Sequence, residues 1–113
     1  MHELSMTEGI LKICLREGKK NNIQKIKKIN IVVGELTGLI PSCISYYFNI
    51  VAKGTLAENA EIKVITQNIE VKCNECNYKG QVEKHQYVCP KCFSDDIKII
   101  KGKELFVDTI EVE

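Results

Sequence analysis

Four cysteines in two Cys-x-x-Cys pairs constrain this chain more than any other feature of its sequence. Cys73 and Cys76 form the first pair, and Cys89 and Cys92 form the second after twelve intervening residues. Each pair can form a tight turn that directs two thiolates to one point. Two such turns supply the four soft ligands of a closed tetrahedral site. The spacing therefore predicts a structural Zn²⁺ ion, with no open position for catalysis.

The sequence is also compatible with other chemistry for these four cysteines. A rubredoxin-type iron site uses the same four thiolates, so the ligands alone do not separate iron from zinc. Two disulfides would require an oxidising compartment. The first residues lack the basic start and apolar stretch of a signal peptide, which predicts a cytoplasmic protein with reduced thiols. His85, between the pairs, is interpreted as a solvated loop residue, with exchange into the site as the alternative.

Charge and hydropathy restrict the partners of the chain. Its 113 residues contain 16 Lys and Arg against 15 Asp and Glu, a formal net charge of +1. Domains that mainly bind nucleic acid are usually strongly basic. No apolar run approaches the roughly 20 residues that a membrane-spanning helix needs. We therefore expect neither nucleic acid nor a membrane as a partner.

Two helices are predicted before the cysteines. Residues 5–8 (Ser-Met-Thr-Glu) match a capping box and predict the start of the first helix, which the run Lys19–Asn22 should end. Pro41 suits the first turn of the second helix, and Gly54 suits its C-terminal cap. Helical spacing predicts these buried positions: Met6, Ile10, Ile13 and Cys14 in the first helix, and Ile44, Tyr47, Phe48 and Val51 in the second.

Three segments are predicted to be strands. Ile29, Ile31 and Val33 alternate up to Gly34. A second strand is predicted from Ala60 to Lys72, with a bulge or kink at Gln67–Asn68 where the apolar phase changes. The segment 105–112 alternates again and is predicted to rejoin the first sheet after the cysteine-rich segment. Its residues in one phase are Phe106, Ile110 and Val112.

The second residue, His2, suggests a separate metal site. The α-amino group of Met1, the deprotonated backbone nitrogen of His2 and the His2 imidazole can close adjacent chelate rings. Nitrogen ligands in one plane suit Ni(II) or Cu(II). The amide or carboxylate of Glu3 could add a fourth ligand. The alternative is an ordinary exposed histidine, and these residues alone leave both interpretations open.

Four segments occur in a characteristic order along the chain. They are Met1-His2-Glu3-Leu4-Ser5, Gly34-Glu35-Leu36, Lys53-Gly54-Thr55-Leu56-Ala57-Glu58 and the paired Cys-x-x-Cys turns. Together they resemble the HypA/HybF family of hydrogenase nickel-incorporation proteins, over essentially the whole chain. The Met-His-Glu start combined with the later cysteine motif is specific, whereas either feature alone is weak.

The resemblance implies a nickel metallochaperone rather than an enzyme. It implies an α+β fold in which two helices lie on a three-stranded sheet. Residues 1–72 plus 104–113 would form this nickel-binding domain, and residues 73–103 an inserted zinc-ribbon-like domain. Carried over to this chain, His2 is the essential ligand of the transported Ni²⁺, and Glu3 is a neighbour that affects nickel binding or transfer. The four cysteines would hold structural zinc.

The resemblance also implies partners. They are the GTPase HypB and the large-subunit precursor of [NiFe] hydrogenase, and some members serve urease maturation. Either a monomer or a homodimer is compatible with the sequence. The chain departs from the family in one place, because some members have a carboxylate nickel ligand where this chain has Leu39-Ile40-Pro41. The nearest acidic residue, Glu35, is not assigned as a ligand.

Two other classes of protein share features with this sequence. A zinc-ribbon adaptor for protein or nucleic acid is suggested by the cysteine pairs and a lysine-rich stretch, but no aromatic residues are interleaved with those lysines. They are Lys19, Lys20, Lys25, Lys27 and Lys28. A metalloenzyme would need an open metal position, and the chain has no zincin or phosphate-loop motif. Cys14 and Cys43 lie in predicted helices and are interpreted as small buried side chains.

Overall fold

The computed structural model describes residues 3–83 and 85–113. These residues form two α-helices, a short 3-10 turn and six strands. In chain order they are α1 (Glu3–Lys20), β1 (Ile26–Gly34), the 3-10 turn (Glu35–Thr37), α2 (Pro41–Val51), β2 (Glu61–Gln67), β3 (Glu70–Cys73), β4 (Lys79–Gln81), β5 (Ile97–Lys101) and β6 (Leu105–Val112). Neither helix in this part of the chain is long and apolar enough to span a membrane.

The strands form two separate three-stranded sheets. The first sheet has the order β2-β1-β6, with β1 parallel to β2 and antiparallel to β6. The second has the order β4-β3-β5 and is antiparallel throughout. The predicted return of β6 to the first sheet is confirmed. We call residues 3–67 and 105–113 the sheet unit, and residues 70–101 the cysteine module.

The core of the sheet unit lies between the helices and one face of the first sheet. Ile29, Ile31 and Val33 of β1 are buried, because every second residue of a strand points to the same face. Ile44 and Phe48 of α2 are four residues apart and therefore share one helix face, and both are fully buried. The predicted α+β class, with two helices on a three-stranded sheet, is confirmed.

Helix α1 begins earlier and turns a different face inward than predicted. Among the described residues it is already helical at Glu3, so Ser5 lies inside the helix and does not cap it. Thr7 is fully buried because its hydroxyl donates to the carbonyl oxygen of Glu3, one turn earlier. The predicted burial of Met6 and Ile13 is wrong, since both are 41% exposed. The buried residues of α1 are Thr7, Ile10, Leu11, Cys14 and Gly18.

Helix α2 begins at Pro41 as predicted, because proline fits a position whose amide has no helical acceptor. It ends at Val51, and the cap residue is Ala52, whose amide donates to the carbonyl oxygen of Phe48. The prediction of Gly54 as the cap is therefore wrong in position. Gly54 lies in the following turn, where its φ of +79° favours glycine.

The predicted strand from Ala60 to Lys72 is two strands in two different sheets. β2 ends at Gln67 and pairs with β1, whereas β3 begins at Glu70 and pairs with β4 and β5. The change of apolar phase at Gln67–Asn68 is therefore a passage between sheets and not a bulge. The division into residues 1–72 plus 104–113 and 73–103 remains a prediction. The pairing of β3 favours a first boundary at residues 68–69.

The prediction that Phe106, Ile110 and Val112 of β6 share one phase is wrong, because only Ile110 packs against the core. Leu105, Val107 and Ile110 pack against the core, while Phe106 and Val112 are exposed. A β-bulge explains the change, because Asn30 pairs with Thr109 and the next residue of β1 pairs with Val107. Residue 108 is thus unpaired, and one extra residue reverses which side chains face the core.

Candidate metal centre

The structure brings the four predicted cysteines into one cluster. Their Sγ atoms all lie within 4.8 Å of one another. The Sγ atoms of Cys73 and Cys92 are 3.6 Å apart, and those of Cys76 and Cys89 are 3.5 Å apart. A tetrahedral zinc ion with Zn–S distances of about 2.3 Å places its sulfur ligands about 3.8 Å apart. The cluster therefore fits a four-thiolate ion.

The same distances exclude disulfides among these cysteines. A disulfide joins two sulfur atoms at about 2.05 Å. The shortest sulfur contacts in the cluster are far longer, and all four side chains are free thiols.

Backbone amides support the first cysteine of each pair. The Sγ atom of Cys73 accepts from the amides of Glu75 at 3.4 Å and Cys76 at 3.5 Å. In the second pair, the Sγ atom of Cys89 accepts from the amides two and three residues later, both at 3.4 Å. Each pair therefore presents one sulfur that accepts two backbone hydrogen bonds, the kind of support that metal-binding thiolates use.

The residue after each pair adopts the same unusual conformation. Asn77 and Phe93 both have a φ of 63°, in the left-handed region. Asparagine tolerates this region, whereas phenylalanine adopts it at an energetic cost. Phe93 is also 77% exposed, so it contributes little packing in return. The two turns thus have the same backbone conformation at this position.

The thiols do not ionise equally. Burial works to raise the pKa of Cys89, but the amides of Cys92 and Lys91 outweigh it and lower the pKa to about 6. For Cys92, the amide of Ser94 lowers the pKa, but burial and the neighbouring thiols raise it to about 12. One thiolate therefore accepts hydrogen bonds from thiols that keep their protons. A bound divalent cation would displace those protons.

The cluster is closed on one side and open on the other. Cys73 and Cys89 are fully buried, while Cys76 is half-buried and Cys92 is exposed. The two turns are also tied to each other, because the side-chain amide of Asn74 donates to a carboxylate oxygen of Asp96 at 3.0 Å. A tetrahedral ion held by all four sulfur atoms would have no coordination position left for a substrate.

The predicted N-terminal site lies largely outside the described residues. Met1 and His2 are not among them. Glu3 is the first residue of α1 and is half-buried. As a first helical residue, its amide has no acceptor within the helix. Within residues 3–83 and 85–113, the four cysteines are the only group of His, Cys, Asp or Glu side chains clustered closely enough to hold a metal ion.

The remaining candidate residues have ordinary surroundings. His85 is exposed in the loop between the pairs, as predicted, and its ring lies edge-on to Tyr87. Cys14 is fully buried, as predicted, and burial raises the pKa of its thiol to about 11. Cys43 is only half-buried, so its predicted burial is confirmed in part.

One structural residue was not identified from the sequence. The carboxylate of Glu35 accepts a hydrogen bond at 3.3 Å from the amide of Ile69, where the chain passes from the sheet unit to the cysteine module. The signal was present, because Gly34-Glu35-Leu36 is one of the segments that carry the family resemblance. Its role depends on a contact between residues far apart in the chain, which no local pattern reports.

Comparisons with known proteins give one consistent family. The family model described as hydrogenase/urease nickel incorporation, metallochaperone, hypA, matches residues 1–112. The chain is 35% identical over 114 residues to the hydrogenase maturation factor HypA of Caldanaerobacter subterraneus subsp. tengcongensis, with 100% of both chains covered. It is 30% identical over 113 residues to the same factor of Moorella thermoacetica, again with 100% of both covered.

Solved structures agree with this fold. The solution structure of the Ni metallochaperone HypA from Helicobacter pylori has a TM-score of 0.71 and 25% identity, covering 99% of this chain and 97% of that one. A second solution structure, of HypA protein, has a TM-score of 0.75 at 24% identity and supports the fold alone. Because the family model covers nearly every residue and full-length relatives reach 35% identity, the chain belongs to the HypA family of metallochaperones for nickel incorporation into hydrogenase and urease.

Proposed function

We propose that the chain carries Ni(II) at its N-terminus and releases it to a maturing enzyme. The nickel ligands are the α-amino group of Met1, the backbone nitrogen of His2 and the His2 imidazole. The amide or carboxylate of Glu3 is a further ligand. The observation that carries this proposal is the match to the nickel-incorporation family over residues 1–112, which includes both of the first two residues.

The start of α1 supports this ligand set. The amide of Glu3 lies at the N-terminal end of α1, where the first four amides have no acceptor within the helix, so ionising it removes no intrahelical hydrogen bond. The amine, amide and imidazole all lose protons when they bind a metal. Nickel affinity should therefore rise with pH around neutrality. A nickel affinity that is constant across this range would contradict the ligand set.

We also propose that Cys73, Cys76, Cys89 and Cys92 hold a structural zinc ion that is not transferred. Zinc is not redox-active and accepts a closed set of four thiolates. Such binding is typically worth about 10–16 kcal/mol and is expressed mainly as folding of the segment that holds the ion. The chain would thus retain zinc in a closed site and carry nickel at an open terminus.

The proposed partners follow from the family. They are the GTPase HypB, the large-subunit precursor of [NiFe] hydrogenase and proteins of urease maturation. We propose that the chain works in the cytoplasm as a monomer or homodimer and catalyses no reaction itself. Binding of nucleic acid or a membrane is not part of this function. The near-neutral charge and the match to the nickel-incorporation family favour it over a nucleic-acid adaptor.

A nickel titration of untagged, zinc-loaded protein tests the proposal. Wild type is compared with His2→Ala and with His85→Ala, which removes the chain's other imidazole. We expect wild type and His85→Ala to bind nickel, and His2→Ala to lose nickel while keeping its zinc. A Gly-Ser extension before Met1 should also abolish binding, because it moves the free amine away from His2. Nickel binding that survives in the His2 variant would refute the N-terminal site.

A further inference from the structure

Gly34, Gly102 and Ile69 form a stack where the two connections between the sheet unit and the cysteine module meet. One connection is residues 68–69, between β2 and β3, and the other is residues 102–104, between β5 and β6. A Cβ atom on Gly34 would lie 2.2 Å from the carbonyl oxygen of Gly102. A Cβ atom on Gly102 would lie 3.1 Å from the Cα atom of Ile69. The end of β1 and both connections are therefore in backbone contact.

Hydrogen bonds attach the second connection to the end of β1. The amide of Gly34 donates to the carbonyl oxygen of Glu104 at 2.6 Å, and the amide of Leu36 donates to that of Gly102 at 2.8 Å. The carboxylate of Glu104 in turn accepts from the amide of Gly102 at 2.6 Å. The connection between β5 and β6 is thus held at both of its ends.

Glu35 attaches the first connection. Its Oε1 atom accepts from the amide of Ile69 at 3.3 Å. Ile69 is fully buried, and its carbonyl oxygen accepts from the amide of Val82 in the cysteine module. The bond between Glu35 and Ile69 links the sheet unit to a connection across a long stretch of sequence. Among the described residues, it is the one side-chain hydrogen bond that does so.

We propose that Glu35 is a positioning residue that holds the cysteine module in one orientation on the sheet unit. Connections of only two and three residues allow little relative movement of the two units. The backbone contacts among Gly34, Gly102 and Ile69 also limit sliding of the cysteine module along the sheet unit. What the stack does not restrict is rotation of β3 about residues 68–69. The bond from Glu35 to Ile69 opposes that rotation, and a bond to a carboxylate is stronger than one to a neutral acceptor.

The two connections also border a cavity of about 580 Å³. Residues of the sheet unit and of the cysteine module both line it. Glu35 lines the cavity from the sheet unit, and Val82, Val88 and Phe93 line it from the cysteine module. If the module is held in one orientation, this surface exists before any partner binds. The free-energy cost of ordering the two units is then small when a partner contacts both of them.

Residual dipolar couplings of the zinc-loaded full-length protein test the proposal without nickel. In wild type, amides of β1, β2 and β6 and amides of β3, β4 and β5 should fit one alignment tensor. In Glu35→Ala, the couplings of the module should shrink relative to those of the sheet unit. Hydrogen exchange of the Ile69 amide should accelerate roughly tenfold, as expected for loss of a bond to a charged group.

Three variants separate positioning from general destabilisation. Glu35→Gln keeps an oxygen acceptor and should restore the shared tensor. Glu83→Ala removes a carboxylate that lines the same cavity from the module and should behave as wild type. Glu35→Asp, which shortens the reach of the carboxylate, replaces the alanine variant if that one does not fold, with the same loss expected.

Two results would overturn the proposal. The first is wild-type protein in which the two sets of amides already require separate tensors. The second is a Glu35 variant that loses protection at Ile69 but keeps the shared tensor. Nickel binding at the N-terminus should be equal in all these proteins, so failure of this proposal is distinguishable from failure of the proposed nickel site.

Discussion

The Sγ atom of Cys73 lies 3.6 Å from that of Cys92, although the two residues belong to different turns. Cys76 and Cys89 make the matching contact at 3.5 Å. Each of these contacts joins one turn to the other. An ion at their centre would clamp the end of β3 to the segment that precedes β5.

Removal of the metal should unfold the cysteine module and leave the sheet unit folded. The core of the sheet unit consists of residues from α1, α2, β1, β2, β6 and their connections, with none from the module. After treatment with a chelator, amide signals of β3, β4 and β5 should collapse in a heteronuclear NMR spectrum while those of β1 persist. Re-addition of zinc should restore them. Collapse of both sets would show that the two units fold as one.

Phe48→Ala should lower the free energy of unfolding of the sheet unit by about 3–5 kcal/mol. Phe48 is fully buried against the first sheet, so its removal leaves a cavity. Tyr46→Ala is the control, because Tyr46 is 63% exposed on the same helix. Its cost should stay within about 0.5 kcal/mol in the same denaturant titration. Equal costs at the two positions would contradict the assigned inward face of α2.

Gly34→Ala and Gly9→Ala should have opposite effects on stability. A Cβ at position 34 meets the backbone of Gly102, so the variant should lose about 1–3 kcal/mol or more. A Cβ at position 9 meets nothing within 4 Å, and alanine in a helix is favoured over glycine by about 0.5–1 kcal/mol. Thermal unfolding of both variants decides the comparison. A neutral change at position 34 would mean that β1 and residues 102–104 are not in contact.

Cys14 should make stability fall at high pH. Burial raises the pKa of its thiol to about 11 in the folded protein, from 9.0 in a solvated chain. The folded state therefore keeps a proton that the unfolded state loses, so the contribution is full below pH 9 and is lost as pH rises toward 11. The difference in unfolding free energy between wild type and Cys14→Ala should shrink over this range. A constant difference would show that the thiol is not shielded.

Local patterns identified both helices and the strands β1 and β6, but they missed β4 and β5, and the only sheet pairing predicted was the return of β6 to the first sheet. The alternation of Ile29, Ile31 and Val33 predicts β1, and Pro41 predicts the start of α2, because each signal depends on neighbouring residues. The four cysteines could be grouped for the same reason, since metal ligands in paired turns require a fixed spacing. These predictions concern interactions that a short window of sequence contains.

The errors occurred where pairing across the sheet decides the outcome. The bulge at Asp108 depends on how β6 aligns with β1. The segment 60–72 divides into two strands because its two ends pair with strands of different sheets. In α1, the polar residue Thr7 is buried, and its hydroxyl donates to the carbonyl oxygen of Glu3. A pattern based on polarity alone would place this residue at the surface. The contact from Glu35 to Ile69 spans 34 residues and has no local signature.

The pairing of β1 with β6 has a consequence for the folding kinetics of the chain. β1 cannot complete its hydrogen bonding until the segment after the cysteine module has been made, because Ile26 pairs with Val112. Closing so long a loop costs entropy and slows folding. A module that has already folded around its metal brings the ends of that loop together. Metal supply during synthesis should therefore set how quickly the first sheet closes, even though the proposed metal site lies in the cysteine module.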